Sequence, residues 1–148
     1  MNFVILKQMV ILSLLLGDAI GVLTLIPFVD VIAFLFLMFF SAPLLMWFLM
    51  SVEILNVTSN RQSVVAGALV GFWVFIGFCI IYLPLVTLLG RGFGLYNRYG
   101  ISLFLGAGSF WVIVLLILFM AILSAITNAF GGFVTYYAID FMKSVEKK

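Results

Sequence analysis

Long apolar stretches, interrupted at only a few points, make up most of this chain. Residues 31–52, 62–90 and 99–139 hold no Asp, Glu, Lys or Arg, and residues 8–29 hold one, Asp18. A helix rises about 1.5 Å per residue, so about 20 apolar residues cross a hydrocarbon core about 30 Å thick. Each of the four stretches is long enough. The pattern predicts an all-α polytopic membrane protein, a four-transmembrane-helix bundle forming one membrane domain over residues 1–148, with spans near 8–26, 31–52, 64–89 and 109–130.

The interruptions set the connections. Pro27-Phe28-Val29-Asp30 is a very short turn: proline disfavours helix continuation, and Asp30 suits the N-cap of the second span. So short a turn makes the first two spans antiparallel neighbours, an N-terminal helical hairpin. Glu53–Ser63 and Gly90–Tyr99 are the polar connections. Residues 101–108 read equally as span, interfacial helix or loop, and the fourth span can continue as helix to Phe141.

Composition agrees. The chain is 67% hydrophobic and 8% charged, whereas a soluble domain is about 45–50% apolar and about 25% charged. A net charge of +2 offers no clustered basic patch, so no nucleic-acid partner is expected. The single cysteine, Cys79, cannot form an intrachain disulfide or a cysteine metal site. With no histidine, bis-histidine haem, histidine-ligated zinc or copper and histidine-based triads are excluded. The expectation is therefore no catalytic residue, no metal and no cofactor. Lys7 followed by an apolar run superficially looks like a signal peptide, but Gly17-Asp18-Ala19 is a poor cleavage site and the apolar run resumes beyond it, so this segment reads as a retained first span.

Orientation follows from Lys and Arg in the short connections. In a four-span chain Lys7, Arg61, Lys143, Lys147 and Lys148 share one side, and Arg91 and Arg98 the other. Five against two favours both termini in the cytoplasm, for a multi-pass protein expected in the plasma (inner) membrane. Tyr96, Tyr99 and Trp111 would anchor the outer end of the fourth span, and Tyr136 and Tyr137 its inner end. The sequon Asn56-Val57-Thr58 would then be cytoplasmic and accidental.

Asp18 is the one ionisable group near the middle of a span, where a charge costs roughly 2.5–3.5 kcal/mol on insertion scales. It reads either as an ion- or proton-sensitive group or as a protonated side chain holding two helices together. If the hairpin turn centres at 28–29, Asp18 is level with Phe39–Ser41. Pro43 leaves the Phe39 carbonyl without its helical donor. Asp18 is expected within hydrogen-bond reach, directly or through one water, of the Phe39–Ser41 segment, with that carbonyl or the Ser41 hydroxyl as acceptor.

Small residues recur at helix-packing spacing: Gly17 with Gly21, Gly67 with Gly71, and Ala121, Ala125 and Ala129 running on to Gly132, with Ser124, Asn128 and Gly131 beside them. They are expected to serve helix contacts inside the bundle or with a partner subunit. Gly90-Arg91-Gly92-Phe93-Gly94 follows an apolar span and lacks a downstream lysine, so it reads as an interfacial turn with Arg91 and Arg98 at lipid head groups, not as a phosphate loop. Leu16-Gly17-Asp18 resembles the glycine-aspartate motif of intramembrane aspartyl proteases, but these need two facing aspartates, and Asp30 and Asp140 fall near the membrane surfaces. The Phe-, Met- and Leu-dense second span reads as lipid-facing surface.

The segments GVLTLIPFVD, VVAGALVGF and ITNAFGGFV, in that order, resemble those of small four-span bacterial integral membrane proteins of unknown function. The resemblance implies four spans and no particular chemistry. The expected function is a non-enzymatic scaffold or subunit of a membrane complex, in contact with the lipid bilayer and acting through helix–helix contacts with itself or with larger partners. The alternative is a small oligomeric transporter or channel built around Asp18.

Overall fold

The computed structural model describes residues 3–26, 28–52, 54–55, 57, 59–93 and 110–146. Pro27, the sequon residues Asn56 and Thr58, Arg98, Tyr96, Tyr99, the 101–108 segment, Lys147 and Lys148 lie outside them. The described residues form five helices and no strand: α1 (Phe3–Leu23), α2 (Asp30–Phe39), α3 (Ser41–Ser51), α4 (Asn60–Phe93) and α5 (Phe110–Glu146). By length and hydropathy α1, α4 and α5 can each cross a membrane, and α2 with α3 can form one further, broken span.

Glycine positions reveal the register. Gly17 lies against the backbone of Val74 and Phe78, and Gly21 against that of Phe78 and Tyr82. Residue numbers rise together, so α1 and α4 run parallel. Gly67 lies against Asn128 and Gly132, and Gly71 against Ser124 and Asn128. Here one number rises as the other falls, so α4 and α5 are antiparallel. α4 is the central helix, packed along both α1 and α5. Half of its apolar window is buried, against 22% for α1 and 11% for α5. Since α1 and α4 point the same way, the chain must return between Leu23 and Asn60, and α2 and α3 make that return.

The hairpin expectation is met only in part. The turn is present, closed by Val29 N to Ile26 O at 3.2 Å. However, α1 gives its glycine face to α4, not to the second span. α2 also packs on α4, where Phe34 meets Phe78 edge-on at 6.4 Å and Phe78 stacks on Tyr82 at 4.7 Å. Val29, not Asp30, occupies the N-cap position of α2. Asp30 is the first helical residue and makes no capping bond, though an acid there suits the positive end of the helix dipole.

Two further boundaries differ from the sequence reading. α4 runs unbroken through Pro84 to Phe93, so the connection expected to start at Gly90 starts later; Gly90 and Gly92 weaken a helix without ending it. Residues 31–52 are not one helix. They break at Phe40, and α2 and α3 meet at a bend of 61°.

Candidate functional site

At the bend, buried backbone leaves its regular helical pairing. On one side Phe40 N–H donates to Phe36 O at 2.9 Å, and on the other Leu44 N–H donates to Phe40 O at 3.1 Å. Between these steps Pro43 supplies no N–H, and three of the freed groups are taken up by a side chain from another helix. Asn128 of α5, fully buried, accepts the Ala42 N–H on Oδ1 at 2.9 Å. Its Nδ2 donates to Met38 O at 3.0 Å and Leu37 O at 3.2 Å. A regular helix would pair Ala42 N–H with Met38 O. The Asn128 amide sits in that step, which is a recognised cause of a sharp kink.

The amide orientation is dictated by its surroundings. The Ala42 N–H can only donate, so it must face Oδ1. The carbonyls of Leu37, Met38 and Ser124, the last at 3.0 Å, can only accept, so they must face Nδ2. Three hydroxyls complete the cluster. Ser41 Oγ lies 2.8 Å from Leu37 O and 2.9 Å from Asn128 Oδ1, so its one proton serves either. Thr127 Oγ1 donates to Met38 O at 2.7 Å, and Ser124 Oγ lies 3.3 Å from Asn128 Nδ2.

Small residues bring α5 this close. A Cβ on Gly131 would stand 2.9 Å from Pro43 Cδ and 3.1 Å from Cγ, so only glycine lets the proline ring rest on α5. On the α4 side the contact is a reciprocal zipper. Ser63, Gly67 and Gly71 step along α4 by fours, and Gly132, Asn128 and Ser124 step back along α5. Ser63 Oγ donates to Gly132 O at 2.7 Å and Ser124 Oγ to Gly71 O at 2.9 Å, while a Cβ on Gly67 would stand 3.0 Å from Gly132 Cα. Asn128 therefore lies where α2, α3, α4 and α5 meet.

The residues singled out from the sequence fall into three groups. Gly17, Gly21, Gly67 and Gly71 are at close helix crossings. Ala121 is fully buried, but Ala125 and Ala129 are only half buried, on the flank of the face that carries Ser124, Asn128 and Gly132. Arg91 lies in the last turn of α4. Asp18 makes no hydrogen bond to the 39–41 segment. The Ser41 hydroxyl goes to Leu37 and Asn128, while Asp18 Oδ1 is buried with no hydrogen-bond partner. The cause is the pair Gly17 and Gly21, which turns α1 toward α4, together with the kink, which turns Ser41 toward α5. Ser13 Oγ, also on α1, is likewise buried and unpaired. Among the described residues no group of three His, Cys, Asp or Glu side chains is placed to hold a metal.

Asn128 was within sight in the sequence only as a neighbour of the alanine stripe. The available signal was an amide placed four residues after Ser124 and four before Gly132 in a charge-free helix, where an unpaired amide is costly.

No family model, curated protein or solved structure matches this chain. The reading of its function therefore rests on the residues and their geometry.

Proposed function

We propose that this chain is a non-enzymatic integral membrane protein of four spans, with α2 and α3 forming one broken span, that acts as a scaffold or subunit through helix–helix contacts. The carrying observation is the contrast between α4 and α5. α4 buries half of its apolar window inside the bundle, and α5 buries 11%. α5 thus presents apolar surface outward, including Leu115, Phe119 and Ile126, while its inward face is committed to the kink and the zipper. Four spans are supported by the parallel course of α1 and α4. A cytoplasmic location of both termini is supported by Lys7, Arg61 and Lys143 gathering at one end of the bundle, with Arg91 at the other.

The test is disulfide cross-linking in native membranes from single cysteines at Leu115, Phe119 and Ile126, in a Cys79→Ala background. The scaffold reading expects specific adducts from α5 and fewer from Ile11 or Leu15 on α1. Equal, random labelling from both helices would remove its support.

A second reading, an oligomeric transporter or channel, is favoured by one observation: the buried, unpaired Oδ1 of Asp18. Replacing Asp18 with Asn separates the two. Transport expects normal assembly with loss of ion or proton flux in reconstituted vesicles. The scaffold reading expects assembly unchanged and no flux in either form.

A further inference from the structure

Three groups freed at the kink, the Ala42 N–H and the Leu37 and Met38 carbonyls, have partners in either of two arrangements. In the bent form the Ala42 N–H, Leu37 O and Met38 O all pair with the Asn128 amide. In a straight helix Ser41 N–H would pair with Leu37 O, and Ala42 N–H with Met38 O. The withdrawn amide would keep a partner of its own, since Nδ2 also donates to Ser124 O one turn earlier on α5. The Phe39 carbonyl loses its helical donor to Pro43 in both forms. At the Ala42 N–H and the Leu37 and Met38 carbonyls, bending and straightening therefore exchange one set of hydrogen bonds for another. Such a balance is what a bistable element requires.

What tips the balance is the placement of α5. The amide enters the ladder only while Gly131 lets α5 lie against the Pro43 ring. α5 is one unbroken helix of 37 residues, so Asn128 cannot leave the ladder unless α5 turns or slides past α2 and α3. The same rigid helix continues for 18 residues beyond Asn128 to Glu146, with Tyr137, Phe141 and Val145 exposed along it.

We propose that α2–α3 is a two-state span, held bent while the Asn128 amide occupies its hydrogen-bond ladder and straight when movement of α5 withdraws that amide. The device couples whatever acts on the C-terminal part of α5 to the angle of α3. α3 is 11 residues long, or about 16 Å, so straightening swings its far end by on the order of 10 Å.

The test is pulsed electron spin resonance on the full chain in lipid nanodiscs. Labels are placed on Ser51→Cys at the end of α3 and Val65→Cys on α4, in a Cys79→Ala background. The parent protein is expected to give one dominant distance. Asn128→Ala removes the wedge. Gly131→Ala keeps the amide but presses a methyl on Pro43. Pro43→Ala keeps the amide and returns an N–H for Phe39 O, adding one bond to the straight form alone. Each is expected to add a second, discrete distance shifted by on the order of 10 Å. If Asn128→Ala does not fold, the other two variants decide. One unchanged distance in Gly131→Ala and Pro43→Ala overturns the proposal, since the bend would then be fixed by packing alone. A broad, featureless distribution overturns it as well, since it would mean loosening and not a second state.

Discussion

Asn128 Oδ1 accepts the backbone N–H of Ala42, 86 positions away in the chain, at 2.9 Å. The bond joins the last helix to the break in the second apolar stretch, and the rest of the α2–α3–α5 packing is arranged around it. Removing it should be among the costlier single changes in the bundle. Interhelical hydrogen bonds in membranes average about 0.6 kcal/mol each, and a stranded buried group costs about 1–3 kcal/mol. Asn128→Ala is expected to lower stability by on the order of 2 kcal/mol. Asn128→Asp should lose at least as much, because a carboxylate has no donor for Leu37 O and Met38 O. Unfolding by steric trapping in bicelles measures both, and an aspartate variant as stable as the parent would refute the assigned amide orientation.

Close helix crossings should tolerate no added methyl. A Cβ on Gly17 would stand 2.7 Å from Phe78 N, and one on Gly71 2.5 Å from Ser124 O, both backbone atoms that cannot step aside. Gly17→Ala and Gly71→Ala should each cost about 1–3 kcal/mol by overpacking. Ala19→Leu on the exposed side of α1 should stay within about 0.5 kcal/mol of the parent. Thermal unfolding in mild detergent orders the three, and a harmless Gly71→Ala would contradict the α4–α5 register.

The two serines of the zipper act at opposite ends of the same contact. Ser63→Ala and Ser124→Ala each remove one bond to a glycine carbonyl. Losses of about 0.6 kcal/mol apiece are expected. The two serines lie two helical turns apart and share no hydrogen-bond partner, so the double variant should equal their sum within about 0.5 kcal/mol. A strongly non-additive double variant would mean that the contact opens as a unit.

Phe28 holds φ at 72° in the turn after α1. For a residue with a Cβ the left-handed region costs roughly 1–2 kcal/mol. Phe28→Gly should therefore raise stability by about 1 kcal/mol, and Phe28→Ile should lower it. Equal stabilities would show that the 87% exposed ring gains as much from its surroundings as the backbone loses.

How much of this was written in the sequence varies by residue. Charge-free length gave the apolar helices, because hydrogen-bond closure in lipid leaves helices as the natural solution. Gly17, Gly21, Gly67 and Gly71 marked close crossings, since spacing by fours identifies a face. Spacing cannot name the facing helix, so α1 was matched to the second stretch when it belongs against α4. Pro43 flagged a freed carbonyl at Phe39, but a proline alone leaves a helix kinked or straight according to its neighbours. The deciding neighbour was Asn128, 85 positions later, and Asp18, the most conspicuous polar residue, drew the pairing that Asn128 makes.

The order of synthesis gives the kink a further meaning. α2 and α3 leave the ribosome long before Asn128 does, and chains emerge N-terminus first. Until α5 is made, the Asn128 amide cannot pair Ala42 N–H and Met38 O, whereas Leu37 O keeps the Ser41 hydroxyl, and lipid offers no substitute. On the two-state proposal the second stretch is expected to form first as a continuous helix and to acquire its bend only as α5 arrives. A chain truncated before Asn128 should show the straight form in the same spin-label measurement. The kink then records that α5 has reached its place, since a chain still lacking Asn128 has nothing to hold the bend.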